Sequence, residues 1–545
     1  MSKILKGTMI LTGATFLSKF LGMIYTVPFE QMVGPDGIEL YFYAYTPYNI
    51  LLSLSTLGVP MAVSKFVSKY NSLEDYQTGR DMFKSGMQLM AVTGVVAFLL
   101  LFFSAEQIAT HSLSLNGDSA AKVADVTMVI KMVSFALLII PCMSLIRGFF
   151  QGNESMAPTG ISQVIEQIVR IIFLLVSVYV VLNVVEEDNI SLAISFSTFA
   201  AFIGAVASLL VLGVFWKKRK PHLDKLVDQQ EYTYDLSRKS MMKELLGYAG
   251  PFVLVGIATP LYQLIDQFTF MQAMDEAGFS EDVAGDSLSA IHVLSHKLVI
   301  IPVTLGIGLS LAMLPAITKS FTKEYMTQLN QQINQALQII ALLILPAVVG
   351  LSVLSYEAYG SFYGTYKVDY FGTLLRWYAP VGLFFALYTV TSSILQGINR
   401  QNFAVVSLGS GLLIKILTNS WFIVEFGAKG SIISTGLAVL VAVALNLWRI
   451  QRAIDFSYKQ VYKRTLLIGI ISSIMAAVVF VIKWSIGLLW NPMDSRMAAF
   501  FILVLGVGVG GIFYMWMAYK TTLLERILGG RVRFLDKFLR RSQRG

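Results

Sequence analysis

Apolar stretches of about 20 residues recur from one end of the chain to the other, each bounded by a short run of charged or turn-forming residues. That length is what a helix needs to cross a hydrocarbon core of about 30 Å. Fourteen such segments can be placed, near residues 8–28, 41–64, 86–104, 124–150, 160–183, 191–216, 245–273, 289–315, 335–356, 371–397, 402–424, 431–452, 464–488 and 496–519. The pattern predicts an all-α integral membrane protein with about 14 transmembrane helices.

Loop charge orients the helices, because Lys and Arg are retained on the cytoplasmic side while acidic residues contribute little. Alternate connections are basic: Lys65, Lys69, Arg80 and Lys84; Lys217 to Lys243; Lys319 and Lys323; Arg449 to Arg464. The connections between them are acidic, with Glu30, Asp36 and Glu39, then Glu186, Glu187 and Asp188, then Asp275 to Asp286. Both termini are therefore expected in the cytoplasm. The net charge of +9 is spread over separate loops, so it reads as a topological signal and a contact with anionic lipid, with no nucleic acid implied.

Composition agrees, with 55% hydrophobic and 14% charged residues and a mean hydropathy of +0.66, against about 25% charged residues in soluble domains. The single cysteine, Cys142, lies in an apolar segment, which excludes a disulfide framework and a cysteine metal site. Lys3 and Lys6 precede the first apolar run without a small-residue cleavage site after it, so that run is expected to be a retained helix. The motif GxxxxGK[ST] is absent, which argues against ATP hydrolysis by this chain.

The longest polar connection, 217–243, separates a lobe of six helices (1–216) from a second lobe (244–452), followed by helices at 453–519 and a tail at 520–545. In that tail Leu523, Leu524, Ile527 and Leu528 and then Phe534, Leu535, Phe538 and Leu539 fall at helical spacing among arginines and lysines. An interfacial helix on anionic lipid accounts for the pattern, with a partner-binding helix as the rival.

The lobes repeat. Gln151-Gly152 and Gln396-Gly397 close matching segments, and at the same offset of 245 Ser162 falls on Ser407, Arg170 on Lys415 and Ile171 on Ile416. A weaker match sets Thr56-Leu57-Gly58 against Thr304-Leu305-Gly306. Helix 4 thus matches helix 10 and helix 5 matches helix 11, an even shift that gives both lobes one orientation, related by an axis along the membrane normal. The expected fold is two parallel-related six-helix lobes plus two extra C-terminal helices. Breaks at Gly58 and Pro60, and at Pro302, Gly306, Gly308 and Pro315, are expected to bend helices 2 and 8.

Ionisable residues at membrane depth cost at least about 2.5 kcal/mol each and need a reason to be there. Lys19, Lys131, Arg147, Arg170, Lys297, Arg376 and Lys415 fall within apolar segments, against only Glu166 and Asp266. Such an excess selects phosphate or carboxylate in the cargo. Lys19 and Lys297 are the foremost site candidates. Arg147 is expected to snorkel to the cytoplasmic edge, and Glu166 and Arg170, at i,i+4, form either a local pair or part of the site. Asp266 is a candidate for a coupling cation, with a polar interhelical contact as the alternative. His292 and His296 share i,i+4 spacing, but no third ligand is in view and no metal is expected.

Four motifs carry a family resemblance: Phe16-Leu-Ser-Lys-Phe-Leu-Gly22, Pro47-Tyr-Asn49, the Gln-Gly sites at 151 and 396, and Leu314-Pro-Ala-Ile-Thr-Lys-Ser-Phe321. Over nearly its whole length the chain resembles MurJ-type lipid II flippases of the MOP superfamily, in the branch that includes YtgP and SpoVB-like proteins. The resemblance implies a cationic cavity lined by helices 1, 2, 7 and 8, and a groove for a polyprenyl tail formed by helices 13 and 14. It implies functional roles for Lys19 and Lys297, where the family carries arginines, and for Glu39, where it carries an acid. Tyr25 and Ile300 depart from the pattern, which has an Arg and a Glu there.

The expected function is a non-enzymatic flippase in the bacterial cell membrane, carrying lipid II from the inner to the outer leaflet by alternating access. Its substrate-binding candidates are Lys19, Lys297, Glu39, Arg170 and Lys415. A flippase for another polyprenyl-linked polysaccharide and a MATE-like cation-coupled drug exporter are the alternatives. No cofactor is expected; a coupling monovalent ion or the membrane potential would drive the cycle. Expected partners are the polyprenyl-diphosphate lipid, membrane lipids and cell-wall synthesis proteins.

Overall fold

Helices account for every long apolar segment within the described residues, and none of those residues forms a strand. The protein is described from a computed structural model over residues 3–56, 58–71, 73–113, 119–185, 189–230, 240–241, 243, 256–488, 490 and 495–528. Helix α15 (Gln401–Phe426) shows why such a sequence belongs in lipid. It buries Ser407, Gly411, Lys415 and Asn419 at four-residue spacing and exposes Leu413, Leu417 and Trp421. Polar groups that need partners face protein, and apolar side chains face outward.

Compactness divides the chain into two units, one holding residues up to Asp275 with Ser280–Ser289, the other Glu276–Phe279 and everything from Ala290. The first unit contains α1 (Lys3–Ile24), α2 (Thr26–Thr56), α3 (Val59–Asn71), α4 (Tyr76–Ser112), α5 (Ser119–Ser134), α6 (Ala136–Gly152), α7 (Met156–Val180) and α8 (Ile190–Asp228). It also takes in α9 (Ala258–Glu276) up to Asp275, and α10 (Glu281–Ser289). The lobes drawn from sequence placed these last two in the second half. The connection 217–243 is helical in its first part, where α8 runs on to Asp228.

A π-helical segment, Ala290–Ser295, opens the second unit. Then come α11 (His296–Thr322), α12 (Met326–Val353), α13 (Ser355–Tyr363), α14 (Val368–Gly397), α15, α16 (Ala428–Ile454), α17 (Lys459–Gly487), α18 (Arg496–Lys520) and α19 (Leu523–Leu528). The short α19 does not lie free on a surface. Leu523, Leu524 and Ile527 pack into a core with Ala341, Ile468, Tyr514 and Ala518. The rest of the basic tail, from 529, lies outside the described residues.

Among the described residues eleven helices are long and apolar enough to cross a membrane, so the count of fourteen is not reached there. Of the other three segments, 245–273 lies partly outside the described residues and the side chains at 8–12 are outside them too. The third, 41–64, is interrupted: α2 ends at Thr56 and α3 starts at Val59, with Gly58 at φ 84°. The anticipated bend in helix 2 is therefore present. In its counterpart α11 stays helical through Pro302, Gly306 and Gly308, and a π segment lies just upstream.

The internal repeat is visible as a shared turn. Glu74 and Glu324, and Glu154 and Asn399, all take positive φ between 55° and 61° just after a helix. In each case the next amide donates back across the turn: Asp75 to Tyr70 at 3.0 Å, Ser155 to Phe150 at 2.9 Å, Tyr325 to Ser320 at 2.9 Å and Arg400 to Leu395 at 2.7 Å. Such a turn satisfies the orphan carbonyls of a helix C-terminus. The Gln-Gly sites precede two of these turns. A Cβ on Gly152 would lie 2.7 Å from Ser64 O and 2.8 Å from Val67 Cβ, and one on Gly397 would lie 2.6 Å from Ile317 Cγ2. Both glycines let one helix close on the end of another.

Candidate functional site

Three groups of polar side chains inside the first unit concern the candidate site. In the first, Arg147 of α6 reaches into the space between α7 and α8. Its Nε donates to Ser162 Oγ at 3.0 Å, and Nη2 donates to Ser208 Oγ at 2.7 Å and to Glu166 Oε2 at 2.6 Å. The snorkelling expected of Arg147 is overturned, and of the two alternatives for Glu166 and Arg170 the local pair is not formed. Glu166 belongs to Arg147 because the α6 side chain approaches from the facing helix, whereas Arg170 points to another neighbour.

That neighbour is a cluster of tyrosines on α2. Arg170 Nη2 donates to Tyr45 Oη at 2.9 Å and lies 3.5 Å from Tyr41 Oη, and the guanidinium sits 5.7 Å from the Tyr45 ring centroid. The Tyr41 and Tyr45 rings stack at 4.1 Å, and Tyr48 meets Tyr45 edge-on at 5.3 Å. The Tyr25 and Tyr41 hydroxyls are 3.3 Å apart. Position 25 carries no arginine, but it is joined through Tyr41 to one supplied by α7. Phenol rings and hydroxyls hold this cation without cancelling its charge.

Glu39 forms the third group. It is 7% exposed, accepts from Tyr43 Oη at 3.0 Å, and packs so tightly on α10 that a Cβ on Gly285 would come within 2.2 Å of its Oε2. Beside it opens a cleft of about 770 Å³ lined by Asp36, Lys122, Asp125 and Asp282 among others. Lys122 and Glu281 close one side with an ion pair of 2.7 Å. Asp266 is fully buried on α9, next to Gln267, which donates to Tyr43 O at 3.1 Å and Ser112 Oγ at 2.9 Å. Lys19 is exposed. It lies between Thr15, whose hydroxyl donates to Gln163 on α7 at 3.2 Å, and Gly22, which abuts Gln167.

In the second unit Lys297 lies two residues beyond the π segment, in the first turn of α11, and is half-buried. The side chain before it, His296, has its Nδ1 2.8 Å from Tyr378 Oη. Extra residues in a helix turn are a recurrent device at functional positions. Lys415 is fully buried, donating to Thr435 Oγ1 at 2.7 Å and Asn419 Oδ1 at 3.1 Å. Among the described residues no group of three His, Cys, Asp or Glu side chains is arranged to hold a metal.

The repeat extends to these interiors. Where the first unit ties α6, α7 and α8 through Arg147, Ser162 and Ser208, the second ties α14, α15 and α16 through Asn446. Ser407 donates to Asn446 Oδ1 at 2.6 Å, and Asn446 Nδ2 donates to Thr391 at 3.1 Å and Ser392 at 3.0 Å. Ser162 and Ser407 are the pair matched from sequence, and both are fully buried. Two features escaped sequence reasoning. The Tyr41, Tyr45, Tyr48 row was legible as i, i+4, i+7 spacing. Glu357, fully buried and paired with Lys483 at 3.0 Å, adds an acid and a base to the interior count.

Comparison with known proteins matches residues 4–321 to the family described as polysaccharide biosynthesis protein. The lipid II flippase MurJ of Bacillus subtilis (strain 168) is 44% identical over 97% of this chain and 98% of its own length. Among solved structures, a lipid II flippase MurJ in an inward closed conformation superposes with a TM-score of 0.65, 17% identity and coverage of 95% of this chain and 99% of the other. An inward-facing multidrug resistance MATE transporter of the MOP superfamily gives 0.60 at 14% identity, covering 83% of this chain and 98% of its own.

Proposed function

The chain belongs to the polysaccharide biosynthesis protein family, and from that membership we propose that it is a multi-pass membrane flippase for lipid II, moving this undecaprenyl-diphosphate precursor from the inner to the outer leaflet. The observation that carries the reading is 44% identity to a lipid II flippase along almost the full length of both chains. A MATE exporter is matched nearly end to end by only 83% of this chain. The excess is about as long as everything after Asp455, the part that adds α17 and α18.

The chemistry of the interior supports an anionic cargo. Glu166 is consumed by Arg147 and Glu357 by Lys483. Arg170 is held by neutral phenols, so its charge remains available to a phosphate. Lys19 and Lys297 are the residues we assign to the diphosphate, and Glu39 with Gly285 forms a close-packed seam between α2 and α10. The termini and the basic loops lie in the cytoplasm, and the membrane potential or a monovalent ion at Asp266 drives the cycle.

Purified chain in vesicles, offered lipid II on one side, tests the proposal through the appearance of lipid II on the other. Wild type is expected to translocate it and the Lys19→Ala, Lys297→Ala double variant to do so at least about tenfold more slowly, the effect of losing about 1.4 kcal/mol of binding. Translocation of a different polyprenyl-linked glycan while lipid II stays put would overturn the assignment of cargo. A Asp266→Asn variant separates drives: it stops a cation-coupled cycle and spares one run by potential.

A further inference from the structure

At one end of the second unit, α12, α17 and α19 enclose a cleft of about 570 Å³ that the transport reading does not use. Its lining holds two arginines, Arg464 of α17 and Arg526 of α19, and a set of side-chain amides that includes Asn330, Asn334, Gln338 and Gln460. Among the described residues no carboxylate lines it and neither arginine is ion-paired. Two guanidinium groups sharing one cleft repel each other, and an anion between them removes that cost.

The cleft is built, not incidental. Arg464 donates to Gln338, which is 1% exposed, and to the carbonyl of Arg526 at 3.2 Å. Gln338 in turn donates to Asn334 Oδ1 at 2.6 Å, and Asn334 donates to Gln460 Oε1 at 2.9 Å. Gln335 fixes α19 by donating to Ile527 O at 3.2 Å. One lining group is left over: the buried side-chain oxygen of Asn330 has no hydrogen-bond partner among the described residues. An acceptor held ready beside two arginines fits a ligand that presents hydroxyls as well as a phosphate. Depth fits too, because Met326 and Lys459 begin two candidate spans and Lys520 ends a third, the level at which lipid headgroups lie.

We propose that this cleft binds the headgroup of a lipid that carries a phosphate ester and free hydroxyls, with Arg464 and Arg526 on the phosphate and the α12 amides on the hydroxyls. The bilayer's own glycerophospholipids and a polyprenyl-linked sugar phosphate share that chemistry. The site is independent of the flippase assignment, since it needs only the second unit and a membrane.

Native mass spectrometry of the full chain in detergent decides it, with phosphatidylglycerol, phosphatidylcholine and an undecaprenyl-diphosphate disaccharide as probes. Phosphatidylglycerol, anionic and bearing free hydroxyls, is expected to be retained about tenfold better than phosphatidylcholine, whose quaternary ammonium both arginines repel, and Arg526→Gln is expected to remove most of that preference. Retention of the polyprenyl-linked probe over both phospholipids, lost in Arg526→Gln, would assign the same cleft to cargo. Equal retention of all three, or a preference that survives the Arg464→Gln, Arg526→Gln double variant, overturns the proposal. Arg464 also holds α19, so a lipid-free melting point lowered in Arg464→Gln leaves the single Arg526→Gln variant, whose side chain has no hydrogen-bond partner among the described residues, to give the answer.

Discussion

Arg147 and Glu166 neutralise each other inside the first unit, and that pairing governs what substitution does at either position. Side-chain exposures of 15% and 21% leave little water to solvate a survivor. Arg147→Met is expected to lower the melting point in detergent, by a stability loss on the order of 2 kcal/mol, because it strands the Glu166 carboxylate and takes a donor from Ser162 and Ser208. Arg147→Met with Glu166→Gln should regain most of it; a double variant as unstable as the single would show that packing, not charge, dominates. Gly285 makes a second case. Any side chain there meets the Glu39 carboxylate at 2.2 Å, so Gly285→Ala should cut translocation, and Gly285→Ala with Glu39→Ala should restore melting behaviour though not transport. These side-chain partnerships were the least legible part of the sequence. The i,i+4 spacing of Glu166 and Arg170 suggested a pair, but spacing along one helix is silent about a longer side chain arriving from a neighbouring one. It was equally silent about the tyrosines that claim Arg170.

Helices were legible because each follows from an apolar run, and their closest approaches were legible where a small residue marked them. The Gln-Gly sites, found by matching the sequence to itself, prove to be places where one helix ends against another. The obstacle to a larger residue differs between them. A Cβ at 152 meets a backbone carbonyl, Ser64 O, which can move only with its helix, whereas a Cβ at 397 meets the methyl of Ile317. Gly152→Ala is therefore expected to cost more stability than Gly397→Ala, by about 1 kcal/mol within the range for overpacked interiors, as a difference in melting point between two variants measured side by side. The converse order would mean that the α3 end yields more readily than α11. What periodicity did not reveal is the π segment at Ala290–Ser295, since an extra residue in one turn leaves hydropathy unchanged. The run of α8 to Asp228 through charged residues was likewise hidden, because exposure to water removes the apolar signature of a helix.

For the molecule as a whole, cargo charge and membrane voltage are linked by sign. A diphosphate carries about two negative charges, so an interior-negative potential favours its outward passage by about 4.6 kcal/mol per 100 mV, using about 2.3 kcal/mol per charge. That corresponds to more than three orders of magnitude in the accumulation ratio at equilibrium. Vesicles loaded with potassium and treated with valinomycin allow the potential to be set in either polarity. If lipid II moves without a companion, transport toward the positive side should rise with the imposed voltage and fall when the polarity is reversed. If two monovalent cations travel outward with it, the cycle is electroneutral, voltage has no effect and the rate follows the cation gradient instead. A cation moving inward adds to the charge displaced and steepens the voltage dependence beyond two charges. The slope of the logarithm of the steady-state accumulation ratio against voltage thus counts the net charge carried per cycle, and repeating the measurement with Asp266→Asn asks whether that buried carboxylate contributes to the count. A slope of two charges unchanged in the variant leaves the potential as the drive and Asp266 as a structural group.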